Sequence, residues 1–160
     1  MAKKITRYLV GTKGMQFEMR TGAKDNLAIT LESYSDADFA DKKSLTGAMV
    51  LLNGMPVSWA AKKRGGVSLS TIEAEFVAAS ETARELLGIR EMLMEIKGES
   101  SSSRAKHIDV RLKFIKDFAR RGILEPCYVR SEMMLADLLT KPVDQHKLAK
   151  LRSQVGLHLH

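Results

Sequence analysis

Ser70-Thr71-Ile72-Glu73 is a capping box, in which a serine hydroxyl and a glutamate three residues on satisfy the free N–H groups of a helix start. Behind it Phe76, Ala79, Ala83, Leu86, Leu87, Leu93 and Met94 recur at helical spacing. The pattern predicts one long amphipathic helix from Thr71 to Ile96. Such a helix has a single apolar stripe and must cover another layer of structure.

The residues before it supply that layer. Lys3–Val10 reads as a short helix stopped by Gly11-Thr12-Lys13-Gly14. Met15–Arg20 alternates with period two and, across a turn at 21–26, opens a hairpin with the next strand, Asn26–Asp36. The polar stretch Asp36–Gly47 reads as a loop. Ala48–Lys63 holds two short apolar runs around Asn53-Gly54, a dipeptide that supplies the positive-φ positions of a tight hairpin. After the long helix, Lys97–Ser103 is a polar break. A second helix follows with Ile108, Leu112, Ile115 and Ala119 on one face, ended by Gly122. Ile123–Ser131 reads as a short strand, Glu132–Lys141 as a helix halted by Pro142, and Asp144–Gly156 as a last, basic helix. The order predicts one α/β domain without internal repeats.

The chain has 160 residues, 44% of them hydrophobic, and a formal net charge of +7. That charge favours a polyanionic partner such as nucleic acid. Cys127 is the single cysteine, so no internal disulfide is possible, and a reducing compartment with a buried thiol is expected. No apolar run approaches the ~18 residues of a membrane span, and the first ten residues lack the apolar block of a signal peptide. The expectation is an intracellular protein, cytoplasmic or nuclear, that is not secreted and meets no membrane.

Three acids stand out against the basic background. Asp36 closes a strand, Glu75 lies in the first turns of the long helix, and Asp137 lies near the start of a later helix. Divalent cations need several hard oxygen ligands drawn from distant segments. The stretches "RYLVGTKG", "SYSDADFA", "SLTGAMVLLNGMPVSW", "STIEAEFVAASE", "AKHIDVR" and "LADLLTKP" occur in that order. The chain thereby resembles copia-type retrotransposon polyproteins, at the end of the reverse transcriptase and its ribonuclease H domain. The resemblance implies a remnant of the reverse transcriptase connection at 1–14, a ribonuclease H-like domain at 15–142, and a basic helix and tail at 143–160. It implies an α/β fold, a ribonuclease H-like mixed sheet flanked by helices. It also implies hydrolysis of the RNA strand of an RNA–DNA hybrid, with two Mg²⁺ or Mn²⁺ ions held by three Asp and one Glu. Carried over by motif, the catalytic and metal-binding residues are Asp36, Glu75 and Asp137. Glu73 is set aside as the capping-box residue.

The family's remaining acid is missing. It belongs to a strand ending in Asp-Asn, followed by a helix, and here the long helix runs straight into "KGESSSSRAKHID". Asp38 and Asp109 are the substitutes on offer; Asp38 would point as Asp36 does only if the strand continues. Cleavage is expected to be weak or absent, with one cation or none bound. The last strand loses its neighbour and the first gains an open edge, so a homodimer is expected by edge pairing or strand exchange. The alternative is a non-catalytic nucleic-acid- or protein-interaction module. Lys62, Lys63 and Arg64, clustered in a loop or hairpin after Trp59, are the candidate phosphate contacts. Trp59 itself is expected in the core. His107 and His146 are assigned no catalytic role, and His158 and His160, in a tail, no zinc.

Overall fold

A computed structural model of the chain describes residues 2–19, 29–40, 43–67, 70–98 and 114–159. It opens with helix α1 (Ala2–Thr12) and a short strand β1 (Met15–Phe17). A meander follows: β2 (Leu31–Ala40), β3 (Lys43–Leu52) and β4 (Met55–Val67), antiparallel in the order β2-β3-β4. The β3–β4 turn is the expected one, with Asn53 at φ 50° and Gly54 at φ 80°. Asn53 also ties the turn to the start of β2, since its Oδ1 accepts from the Thr30 amide at 2.8 Å.

Helix α2 spans Thr71–Ile96, the predicted bounds. The Ser70 hydroxyl accepts from the Glu73 amide at 3.1 Å, which satisfies one orphan donor of the first turn. Ala74, Ala78, Ala83, Leu86 and Leu87 are buried along the helix. Beyond it come α3 (Phe114–Arg120), a 3₁₀ turn (Ser131–Met133), α4 (Asp137–Thr140), α5 (Gln145–Gln154) and β5 (Leu157–Leu159). Gly122, at φ 64°, follows α3 as expected.

The pleat assigns the two faces of the sheet. Ala37 packs with Ala74 and Ala78 of α2. Tyr34, Met49 and Leu51 face the other way, onto Leu135, Leu138, Leu139, Leu151 and Val155 from α4, α5 and their flanks. Helices therefore cover both faces, and the core has two halves separated by the sheet. A third cluster joins Ala83 and Leu87 of α2 to Ile115, Phe118, Ile123 and Leu124.

Several expectations are corrected. Asp36 lies inside β2 and not at its end. Within the stretch read as a loop, residues 36–40 continue β2 and residues 43–47 begin β3, because ladder bonds to β3 extend β2 to Ala40. The stretch 60–66, read as a loop or hairpin, lies within β4. β1 pairs with β5, Met15 opposite Leu159, and forms no hairpin with β2, so the end read as a tail is a strand. Among the described residues the strands form two sheets, β1-β5 and β2-β3-β4, both antiparallel rather than mixed. Residues 123–130, expected as a short strand, carry none: the segment has strand-like composition but no ladder partner among the described residues. Trp59, expected in the core, is 61% exposed on β4, an edge strand of the three-stranded sheet. Cys127, expected as a buried thiol, is exposed. The helix expected at 132–141 is a 3₁₀ turn followed by the four residues of α4. The upstream half of the second predicted helix, with His107, Ile108, Asp109 and Leu112, lies outside the described residues.

Candidate functional site

Gly47 sets the geometry of the site. It stands opposite Asp36 in the β2–β3 ladder. A Cβ there would lie 2.6 Å from Thr140 Cγ2, 3.0 Å from the Ala136 carbonyl and 3.2 Å from Leu139 Cβ. The missing side chain lets α4 rest directly on β3. That close approach carries Asp137, the first residue of α4, and Thr140, the last, up to Asp36 on the same face.

Asp36 is 5% exposed and Asp137 2% exposed, and neither is left uncompensated. The Thr140 hydroxyl donates to Asp36 Oδ2. Lys141 Nζ bridges the two acids, 2.6 Å from Asp36 Oδ1 and 3.0 Å from Asp137 Oδ1. Lys147, from α5, donates to Asp137 Oδ2 at 2.5 Å. Burial pushes the Asp137 carboxyl up, but the hydrogen bonds and charges of Lys147 and Lys141 outweigh it and hold the pKa below the usual aspartate value. For Lys141, burial pulls the ammonium down, while Asp36 and Asp137 together hold it above its ordinary value.

Glu75 comes from the opposite layer, in the first turns of α2, close enough to β2 for the Asp36 charge and the Ala37 amide to act on its carboxyl. Desolvation and then the Asp36 charge raise its pKa; Lys141 and the Ala37 amide pull back, and Asp137 adds to the rise. The three predicted acids thus share one electrostatic neighbourhood, with Asp36 and Asp137 in contact through a common cation. Among the described residues no three His, Cys, Asp or Glu side chains form a ligand set for a metal ion. The donor chemistry nonetheless fits a divalent cation at the Asp36–Asp137 pair: two buried carboxylates already converge on one positive centre, the Lys141 ammonium.

Asp38 does lie on the continuing strand, opposite Leu45 and two residues from Asp36, hence on the same face. Lys62 and Lys63 are exposed on β4 opposite Thr46 and Leu45. As strand neighbours they point to opposite faces, so they do not form the single cluster expected. The side chain of Arg64 lies outside the described residues. Thr140, Lys141 and Lys147 were missed as site residues. The i,i+4 spacing of Asp137 and Lys141 was the available signal for one of them.

An α/β scaffold with paired buried carboxylates describes the class, and comparison with known proteins narrows it. No family model matches the chain, and no solved structure matches it significantly. The chain is 32% identical, over 98% of its length, to the retrovirus-related Pol polyprotein from transposon TNT 1-94 of Nicotiana tabacum. It is 31% identical, over 97% of its length, to the Pol polyprotein from transposon RE1 of Arabidopsis thaliana. A further match, 36% identical over 60% of the chain and 68% of the relative, is to secreted RxLR effector protein 161 of Plasmopara viticola. This is a retroelement-derived domain. The chain belongs to the copia-type retrotransposon Pol polyprotein family. It spans 13% and 12% of the length of the first two polyproteins. Their alignments run over 180 residues against the 160 of this chain, so the polyproteins carry residues inside the matched region that this chain lacks. Among the described residues no helix is long and apolar enough to cross a membrane.

Proposed function

We propose that the chain is a ribonuclease H-like domain that binds RNA–DNA hybrids and hydrolyses their RNA strand slowly, with Mg²⁺ or Mn²⁺ as cofactor. The observation that carries this reading is the convergence of two buried carboxylates, Asp36 and Asp137, from different elements on one cation position. Asp36 and Asp137 would hold the metal, with Glu75 on the Asp36 side. A divalent ion bound there would stabilise the charge that develops on the oxygens of an in-line phosphoryl displacement. Thr140 keeps Asp36 aimed by donating to Oδ2, and Lys147 keeps Asp137 aimed from its other oxygen. Lys63, paired with Leu45 and so on the same face of the sheet as Asp36 and Asp38, is proposed as a phosphate contact, whereas Lys62 faces the other way. The missing fourth acid accounts for a low rate.

The test is cleavage of a labelled RNA–DNA hybrid with Mg²⁺ or Mn²⁺. Slow, cation-dependent cleavage that disappears in Asp36→Asn and Asp137→Asn supports the reading. Equal signals from wild type and both variants refute it.

A second reading, a non-catalytic interaction module, draws on a different feature. Among the described residues β2 has no strand partner on its outer side. A cleft of about 630 Å³ lies between β2, α2 and residues 122–129, lined by Leu31, Tyr34, Thr82, Leu86, Leu124 and Val129 among others. In that reading a second copy of the chain pairs along this edge and forms the homodimer. A concentration-independent monomer mass in solution argues against it.

A further inference from the structure

The position between the two buried acids already contains a cation supplied by the protein. Lys141 Nζ contacts Oδ1 of both Asp36 and Asp137, at 2.6 and 3.0 Å. Lys147 takes Oδ2 of Asp137, and the Thr140 hydroxyl takes Oδ2 of Asp36. Every oxygen of the pair is therefore engaged, and two carboxylates face two ammonium groups. The carboxylates are buried, 6% and 2% exposed as side chains, and sit on β2 and α4. Lys141 differs: its side chain is 41% exposed, and it follows the last residue of α4. Lys147 is 22% exposed and sits on α5. Of the two bases, Lys141 is the more exposed and the one that touches both acids.

We propose that Lys141 is a built-in counter-ion that occupies the divalent-cation position, so that its docking and metal binding at Asp36–Asp137 exclude each other. A small divalent ion needs direct access to carboxylate oxygens that Lys141 covers, and two positive centres cannot share the gap between Asp36 Oδ1 and Asp137 Oδ1. Together with Lys147, the lysine neutralises the two buried acids while no metal is present, which lets the fold form without one. The same contact weakens metal binding, because the ammonium must be displaced first. This inference rests on Asp36 and Asp137 as cation ligands and is independent of whether hybrids are cleaved.

The test uses Mn²⁺ alone, titrated into the whole chain and followed by the electron paramagnetic resonance of the free ion. Lys141→Met is expected to bind Mn²⁺ roughly ten- to hundredfold more tightly than wild type, the worth of losing a charge-assisted competitor. Lys141→Arg, which keeps the charge, is expected to stay near wild type. Adding Asp36→Asn to Lys141→Met is expected to abolish the gain. Equal or weaker binding by Lys141→Met, no binding by either protein, or a gain that survives Asp36→Asn overturns the proposal. Because the variant leaves two acids facing each other and could fold poorly, a second measurement uses wild type only. Acylation of Lys141, read by peptide mass mapping, is expected to accelerate on adding Mn²⁺; an unchanged or slower rate overturns the proposal. Absent hybrid cleavage with a tighter Lys141→Met leaves this inference standing and removes the hydrolase reading. Cleavage with unchanged Mn²⁺ affinity in Lys141→Met does the reverse.

Discussion

Gly47→Ala adds one methyl group at the contact on which the whole site depends. Carbon atoms pack at about 3.5–4.0 Å, and the new Cβ would lie 2.6 Å from Thr140 Cγ2. Thr140 cannot simply rotate away, since its hydroxyl is held by Asp36 and by the Ala136 carbonyl. The other close neighbours are the Ala136 carbonyl at 3.0 Å and Leu139 Cβ at 3.2 Å, which belong to the backbone and stem of the same segment. Relief therefore requires α4 to lift from β3. Overpacking of this kind costs about 1–3 kcal/mol, and a lost hydrogen bond to a charged group adds about 1.5–3 kcal/mol where it breaks. Allowing for partial relaxation, we expect a loss of about 2–4 kcal/mol, or roughly 5–15 °C in melting temperature for a chain of this size. Gly88→Ala is the control: Gly88 lies inside α2 with nothing within 4 Å of the added Cβ. It should gain about 0.5–1 kcal/mol from helix propensity. Urea unfolding of both variants decides the matter. If Gly47→Ala matches wild type within about 0.5 kcal/mol, α4 does not sit on β3 as described.

Leu151, fully buried beneath the sheet, should lose about 2–5 kcal/mol on truncation to Ala, measured by the same unfolding. Ser70→Ala removes the acceptor of the Glu73 amide and should cost about 0.5–2 kcal/mol, with helicity by circular dichroism lowered only slightly. The lowered pKa of Asp137 has a definite sign. The stability it brings is fully present above the ordinary aspartate value of about 3.9 and is lost as pH falls through the depressed folded value. Melting temperatures across an acid series should therefore show Asp137→Asn below wild type near neutrality, with the gap closing in acid; a gap that widens in acid contradicts the assignment.

What the sequence revealed depended on the range of the interaction responsible. The α2 start at Ser70 and the turn at Asn53-Gly54 are each set by chemistry within a few residues, and both were read correctly. Asp36 was misplaced because Asp, Lys and Ser in the following stretch have poor strand propensity, and only the ladder to β3 carries β2 on to Ala40. Segment 123–130 has apolar and aromatic residues suited to a strand, yet strand formation needs a partner that the local sequence cannot report. The β1–β5 pair joins the two ends of the described chain and left no signal beyond weak alternation. At the site, the acids were recognisable by type and motif. Lys147 was not, because it reaches Asp137 from α5, beyond the turn at Pro142. The role of Gly47 became visible only once α4 was seen resting on β3.

Diffraction from Mn²⁺-soaked crystals at the manganese absorption edge tests whether Asp36 and Asp137 form one cation position. The account predicts an anomalous peak coordinated by both carboxylates, with the Lys141 ammonium displaced from between them. A peak elsewhere with Lys141 still bridging the two acids, or side chains of Asp36 and Asp137 that do not approach each other, would contradict it.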